Sequence, residues 1–365
     1  MRSSAIMASP STFAGTCPGY GSNFSIGGVS VGIEGDRSAD VALVSPLALF
    51  RSEAGLSHIN IRVAWAEDLL PVSRRQLFDS GATWRLYEDD GGFQFDFSAP
   101  FYGEQPYRRL FVDSQFRRAT LQLNGGCRAR SSYPGVALSY PLDELLIMHR
   151  LTQEKAIELH SCGIVRPDGT GNLFVGHSGA GKSTTTRLWT ACEDVEGLSD
   201  DRIIVRRDED KSDVVAPCGR AGAGEIQQVL RLRDRAASPG GPSAQDDKAK
   251  KQIPPLRSAQ GRNDKGRMRM YGTPWHGEAM YASPGSAPLT RIFILEHGHG
   301  NVLTRLSPSH AVAELFARSF VPFHRHEDVD AALDFLQELV GSVPCYHYSF
   351  EPDQRAVDTI LNFHD

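Results

Sequence analysis

The residue types best suited to chemistry cluster between positions 160 and 201. The segment "GHSGAGKS", Gly176 to Ser183, carries glycine, lysine and a hydroxyl at the spacing of a loop that cradles phosphate. Glycines let the backbone curl so that successive N–H groups point inward, and a helix that follows adds its positive N-terminal end. The nucleotide-binding set expected here is Gly176, Ser178, Gly179, Ala180, Gly181, Lys182, Ser183 and Thr184. In it Lys182 would reach the β- and γ-phosphates of ATP, and the Ser183 hydroxyl would hold magnesium. The competing reading is a plain glycine turn capped by Ser183. Downstream, Asp200 and Asp201 form an adjacent carboxylate pair, expected to join Ser183 in binding metal. His177 within the loop and His160 upstream are the two candidates for proton transfer, because neutral imidazole accepts a proton near pH 7. For His177 a phosphate contact is the alternative; for His160, a satisfied structural histidine.

These side chains need elements to position them. "NLFVG" is a short apolar run entering the glycine turn, and "KSTTTRLWTA" can continue as a helix, the strand–loop–helix order that the phosphate loop requires. "AIELHSCGIVRPDGTGNLFVG" reads as a hairpin turning at "PDGTG" and running straight into the loop. The Asp pair stands immediately before the β-branched run "RIIV". Beyond it, "TRIFILEHG" suggests a buried strand, "SPSHAVAELFARSF" a helix with Pro308 in its first turn, and "EDVDAALDFLQELVG" a helix closed by Gly341. "PCYHYSF" and "DQRAVDTILNFH" add a last strand and helix, so this half is expected to be α/β.

Residues 1–150 read as a smaller α+β domain preceding a P-loop domain at 151–365. "SHINIRVAW", "ATWRLYED", "GFQFDF" and "RATLQLN" alternate like short antiparallel strands, and "YPLDELLIMHRLTQEKA" is helical, with Leu142, Leu145, Leu146 and His149 on one face. This first domain carries no chemical motif, and substrate or partner recognition is its expected role. Residues 208–266 are polar, rich in proline and glycine and poor in aromatics, which predicts a disordered surface insertion.

The whole chain of 365 residues has 40% hydrophobic and 23% charged residues and a net charge of −5. That balance gives no support for nucleic-acid or membrane binding. No run reaches the length of a membrane span, and the N-terminus lacks the continuous apolar core of a secretory signal. Six cysteines lie scattered with no C-x-x-C pair, which fits reduced thiols in a cytoplasm. His297/His299 and His324/His326 have alternating spacing but no third ligand, so neither pair is expected to hold metal. "GTPWHGE", Gly272 to Glu278, offers two readings: Trp275 and His276 wall a pocket, or Trp275 anchors a loop on the core.

Taken in order, His160, Ser178 to Ser183 and Asp200–Asp201 resemble the catalytic domain of HPr kinase/phosphorylase and the wider phosphoenolpyruvate-carboxykinase-like P-loop group. "YGTPWHGEA", Tyr271 to Ala279, and "FVPFHRHED", Phe320 to Asp328, are similar to segments of HPr-kinase-like proteins, some of which phosphorylate a precursor peptide in ribosomal-peptide maturation. The resemblance implies a P-loop kinase domain that uses ATP and magnesium to phosphorylate a hydroxyl, most simply a serine of a protein or peptide, with homo-oligomerisation left open. Two residues depart from that family: His177 stands where it has aspartate, the proton acceptor, and Thr184 where it has glutamate. The alternatives are an ATP-binding regulatory or accessory protein without phosphotransfer, and a small-molecule kinase.

Overall fold

A computed structural model describes residues 19–71, 73–128, 136–192, 194–208 and 268–364. It is a mixed, sheet-rich α/β protein that divides into two compact units. The first comprises the described residues of Met1–Asn23, Val31–Leu43 and Glu53–Leu138; the second, those of Phe24–Ser30, Val44–Ser52 and Ser139–Asp365.

The eight-stranded sheet takes the order β1-β2-β3-β8-β7-β6-β5-β4. Its strands are β1 (Tyr20–Ile26), β2 (Val29–Gly35), β3 (Ile59–Ala66), β4 (Gln76–Asp79), β5 (Trp84–Asp89), β6 (Gly92–Phe97), β7 (Arg108–Asp113) and β8 (Arg118–Asn124). The alternating segments are strands as expected: in β3, Ile59, Ile61 and Val63 point inward and their neighbours outward. β3 pairs in parallel with both β2 and β8, while β5 to β8 form an antiparallel meander. The expected α+β character needs correction. Among the described residues, the only α-helix of the first unit is the single turn α1 (Gly125–Arg128), beside short 3-10 turns. Helix α2 (Leu142–Leu151) falls in the second unit, because it packs on strand β9 (Ala156–Val165) of that unit. The second unit therefore takes Ser139–Asp365 together with Phe24–Ser30 and Val44–Ser52, rather than beginning at 151.

In the second unit β9 turns at Arg166–Thr170 into β10 (Gly171–Val175), the expected hairpin, whose turn is held by Arg166 N–H donating to Thr170 O at 2.8 Å. Helix α3 (Lys182–Thr190), β11 (Glu196–Ser199), β12 (Arg202–Arg207), β13 (Met268–Tyr271) and β14 (Ser286–His297) follow. β15 (Val302–Arg305), α4 (Pro308–Phe316), β16 (Ser319–Phe320), α5 (His326–Ser342), β17 (Cys345–Phe350) and α6 (Gln354–Leu361) complete it. The sheet runs β10-β9-β12-β13-β14-β17-β15, and β10 also pairs with β14. β10, β14 and β17 are parallel; the other pairings are antiparallel.

Burial on both faces explains the continuous apolar runs of the parallel trio. One face packs Leu173, Val175, Ile292 and Ile294 with Leu315 of α4 and Leu336 and Leu339 of α5. The other packs Phe174, Phe293 and Tyr348 with Trp189 of α3 and Ile360 of α6. Pro308 stands in the first turn of α4, as expected, and the Ser307 side chain caps that helix by accepting from His310 N–H. Gly341 does not close α5, which continues through Ser342. The expected insertion at 208–266 lies, apart from Asp208, outside the described residues. No helix among the described residues is long and apolar enough to cross a membrane.

Candidate functional site

Strand β9 assembles the site because it pairs on both sides with the elements that carry candidate residues. On one side it pairs with β10, which leads directly into the loop at Gly176. On the other it pairs first with β11, Ser199 opposite Gly163, and then with β12, Arg202 opposite His160. Asp200 and Asp201 occupy the break between those two strands. Backbone bonds lock the arrangement: Gly176 N–H donates to His160 O at 3.2 Å, and Ser161 N–H donates to Asp201 O at 3.1 Å.

The loop has the backbone its glycines allow. Gly179 and Gly181 sit at φ +81° and +95°, where a side chain is strained, and a Cβ on Gly176 would lie 2.7 Å from the Ala180 Cβ. Gly181 is the cap residue of α3, so the first free N–H groups of that helix belong to the loop end. Lys182 is 6% exposed, and its ammonium donates to Gly176 O and His177 O, both at 3.1 Å. Desolvation lowers its pKa, against the pull of Asp201 and Asp200. Beneath it the buried Cys162 thiol faces Lys182 O and is pushed by burial up to about 12, so it is inert.

The two aspartates have different surroundings, which the sequence did not reveal. Asp200 is 0% exposed and all four of its acceptor positions are used. Oδ1 accepts from Gly277 N–H at 3.0 Å and Tyr281 N–H at 3.2 Å, and Oδ2 accepts from Ala279 N–H at 2.8 Å and the Ser183 hydroxyl at 3.0 Å. A carboxylate offers about four lone-pair positions. Asp200, expected as a metal ligand, spends its acceptor positions as a clamp that joins segment 277–281 to Ser183 at the end of the 176–183 loop. Close approach at Gly277 fits this, since a Cβ there would lie 2.9 Å from Asp200 Oδ2.

Asp201 is the more open of the two. His160 Nε2 lies 3.0 Å from its Oδ1, and Arg202 Nη1 pairs with its Oδ2. Desolvation, the largest influence, would raise the Asp201 pKa, but the His160 bond and the Arg202 charge together bring it below its ordinary value. Arg202 also donates to Glu144 Oε1 at 2.8 Å and lies 4.1 Å over the Phe320 ring. Fully buried Glu158 stands 3.6 Å from Arg202, and burial plus the neighbouring Glu144 raise it well above the usual carboxylate range. Arg202 thus faces three carboxyl groups, those of Glu144, Glu158 and Asp201.

The expected residues are thus partly brought together. Lys182, Ser183, Asp200, Asp201 and His160 share one end of β9. His177 is exposed, and its imidazole makes no hydrogen bond among the described residues. Trp275 anchors the 272–281 segment on the core, 6% exposed, with Nε1 donating to Asp143 at 3.2 Å. Two participants were missed: the N–H groups of Gly277, Ala279 and Tyr281, which no side-chain pattern signals, and His297, whose ring lies against the loop at Gly179. No group of three metal-ligating side chains stands ready among the described residues.

Comparison with protein-family models and with curated proteins yields no match to this chain.

Proposed function

We propose that this chain is an ATP-dependent phosphotransferase of the HPr-kinase-like, P-loop type, acting on a hydroxyl, most simply a serine of a protein or peptide. One observation carries the reading: the Ser183 hydroxyl, first residue after the loop lysine, donates to an acid of the downstream Asp pair at 3.0 Å. A serine whose proton is committed to Asp200 turns its free lone pair outward, as a magnesium ligand must.

Phosphate oxygens are bound by the N–H groups of Ser178 to Ser183 and by Lys182, which exchanges its two loop carbonyls for them. Magnesium keeps several waters and takes one or two carboxylates together with phosphate oxygens, so a ready-made protein cage is not required. Ser183 and Asp201 would hold the ion, with Asp200 orienting Ser183; bound there, it neutralises charge on the transferring group. The acceptor oxygen forms a bond to the γ-phosphorus as the bond to the β,γ-bridging oxygen breaks, and ADP leaves. The hydroxyl proton passes to the exposed His177 imidazole. Asp201, with its lowered pKa, suits an anionic ligand better than a base, and it keeps His160 beside the site.

A second reading, a nucleotide-binding regulatory protein without transfer, is favoured by the absence of any described partner orienting His177. Kinetics separates the two. His177→Ala should lower phosphotransfer by roughly 10²–10⁴ while ATP affinity holds. Unchanged turnover in that variant removes His177 as the base, and no turnover by the wild-type chain leaves only the binding role.

A further inference from the structure

We infer that His297, seated on Phe350, is the stacking platform for the base of the nucleotide whose phosphates the loop holds. The inference rests on the nucleotide-binding reading above and names a contact which that reading does not use.

His297 is the last residue of β14 and Phe350 the last of β17, so both stand at the carboxyl ends of the parallel strands beside β10. Ligands of open α/β sheets bind outside those ends. The two rings stack with centroids 5.3 Å apart and planes 27° from parallel. Phe350 is 1% exposed and stacks in turn on Tyr348, whereas His297 is exposed. One face of the imidazole is therefore covered and the other is open to a ligand.

The ring is also fixed in orientation. His297 Nε2 lies 3.0 Å from the Gly179 carbonyl oxygen. A carbonyl only accepts, so Nε2 carries the hydrogen, and in the neutral ring Nδ1 remains an acceptor for an exocyclic amino group. The loop rests directly on the pair: a Cβ on Gly181 would meet Phe350 Cζ at 2.7 Å and His297 Cε1 at 3.1 Å. At Gly179 a Cβ would meet nothing within 4 Å, so the space above that residue is open. An exposed aromatic ring pinned by two contacts, flat and adjacent to a phosphate loop, has the geometry of a base platform.

The test is calorimetric titration of the full chain, wild type and variants, with magnesium–ATP and separately with inorganic tripolyphosphate, which lacks a base. His297→Ala should weaken ATP roughly 5- to 150-fold, the range for one base–aromatic stack, and leave tripolyphosphate unchanged. His297→Phe, which keeps a flat ring without Nε2, should retain ATP affinity within about threefold by the same stacking argument. Equal weakening of both ligands in His297→Ala would make His297 a brace of the loop and overturn the platform. So would unchanged ATP affinity, or a loss in His297→Phe as large as in His297→Ala. If the wild-type chain binds tripolyphosphate and ATP equally well, the loop reading survives and the platform falls; if it binds neither, both fall.

Discussion

Replacing Asp200 with Asn isolates the clamp that joins segment 277–281 to the 176–183 loop. Asparagine keeps one acceptor oxygen, which can serve Gly277 and Tyr281 as Oδ1 does now. Its amide group then faces Ala279 N–H and the Ser183 hydroxyl, two donors that lose their acceptor. A hydrogen bond to a charged group contributes about 1.5–3 kcal/mol, so the amide of Ala279 should open with an equilibrium shifted by that amount. Hydrogen–deuterium exchange at Ala279 should speed up roughly 10- to 150-fold, with a smaller change at Gly277 and Tyr281. Overall stability should fall by about 2–4 kcal/mol, less than two full bonds because water reaches the half-buried segment and Ser183 can turn to a new partner. Asp201→Asn is the control: it retains an oxygen for His160, and Arg202 keeps Glu144, so the loss should stay near 1 kcal/mol, roughly. Unaltered exchange at Ala279 in Asp200→Asn, or a greater loss of stability in Asp201→Asn, would refute the division of roles between the two carboxylates.

Three further outcomes follow from the same geometry. Lys182→Ala, which removes the ammonium now bridging Gly176 O and His177 O, should weaken magnesium–ATP binding by about tenfold or more in calorimetry, because a charge-assisted phosphate contact is lost. His149, held down to about 3 by burial and then by His324, and His324, held down to about 4 mainly by burial, fold in the neutral form. Their unfolded forms gain protons near pH 6.5, so the stability they confer is complete above that pH and declines as pH falls from there toward the folded values; between pH 7 and 5 the His149 share is about 2 kcal/mol, and urea unfolding of His149→Leu should show a correspondingly shallower loss than wild type. β12 and β13 are antiparallel with Arg207 opposite Met268, so replacing 209–267 by a short Gly/Ser turn while keeping the Asp208–Arg269 ion pair should leave the unfolding midpoint and ATP affinity unchanged.

Local geometry was legible in the sequence. The loop and its flanking strand and helix lie where "NLFVGHSGAGKSTTTRLW" puts them, because spacing within one turn fixes which backbone groups converge. The hairpin of β9 and β10 was equally plain, since "PDGTG" admits a turn and little else. Non-local contacts were not legible. The Asp pair reads as two equivalent ligands, yet one is enclosed by backbone N–H groups about eighty residues later, donors that every residue possesses. His297 reads as half of a weak metal pattern; the parallel register of β10, β14 and β17 is what carries it to the loop. Trp275 admitted two readings, and its bond to Asp143 decides for the anchor. In the first unit, alternation found β3, β5, β6 and β8. It did not show that α2 packs on β9, because a helix's own pattern says which face it buries and not against what.

In the proposed reaction the γ-phosphate would leave ATP for a hydroxyl under the control of the 176–183 loop. The measurement that meets it most directly is a single-turnover reaction, with the chain in excess over γ-labelled ATP, magnesium present, and lysate of the source organism as the pool of acceptors. Label should move to a protein or peptide as an acid-stable serine phosphate, ADP should accumulate in equal amount, and Lys182→Ala should abolish both. Label that remains in ATP with the wild-type chain, or that moves equally well with Lys182→Ala, would contradict the proposal.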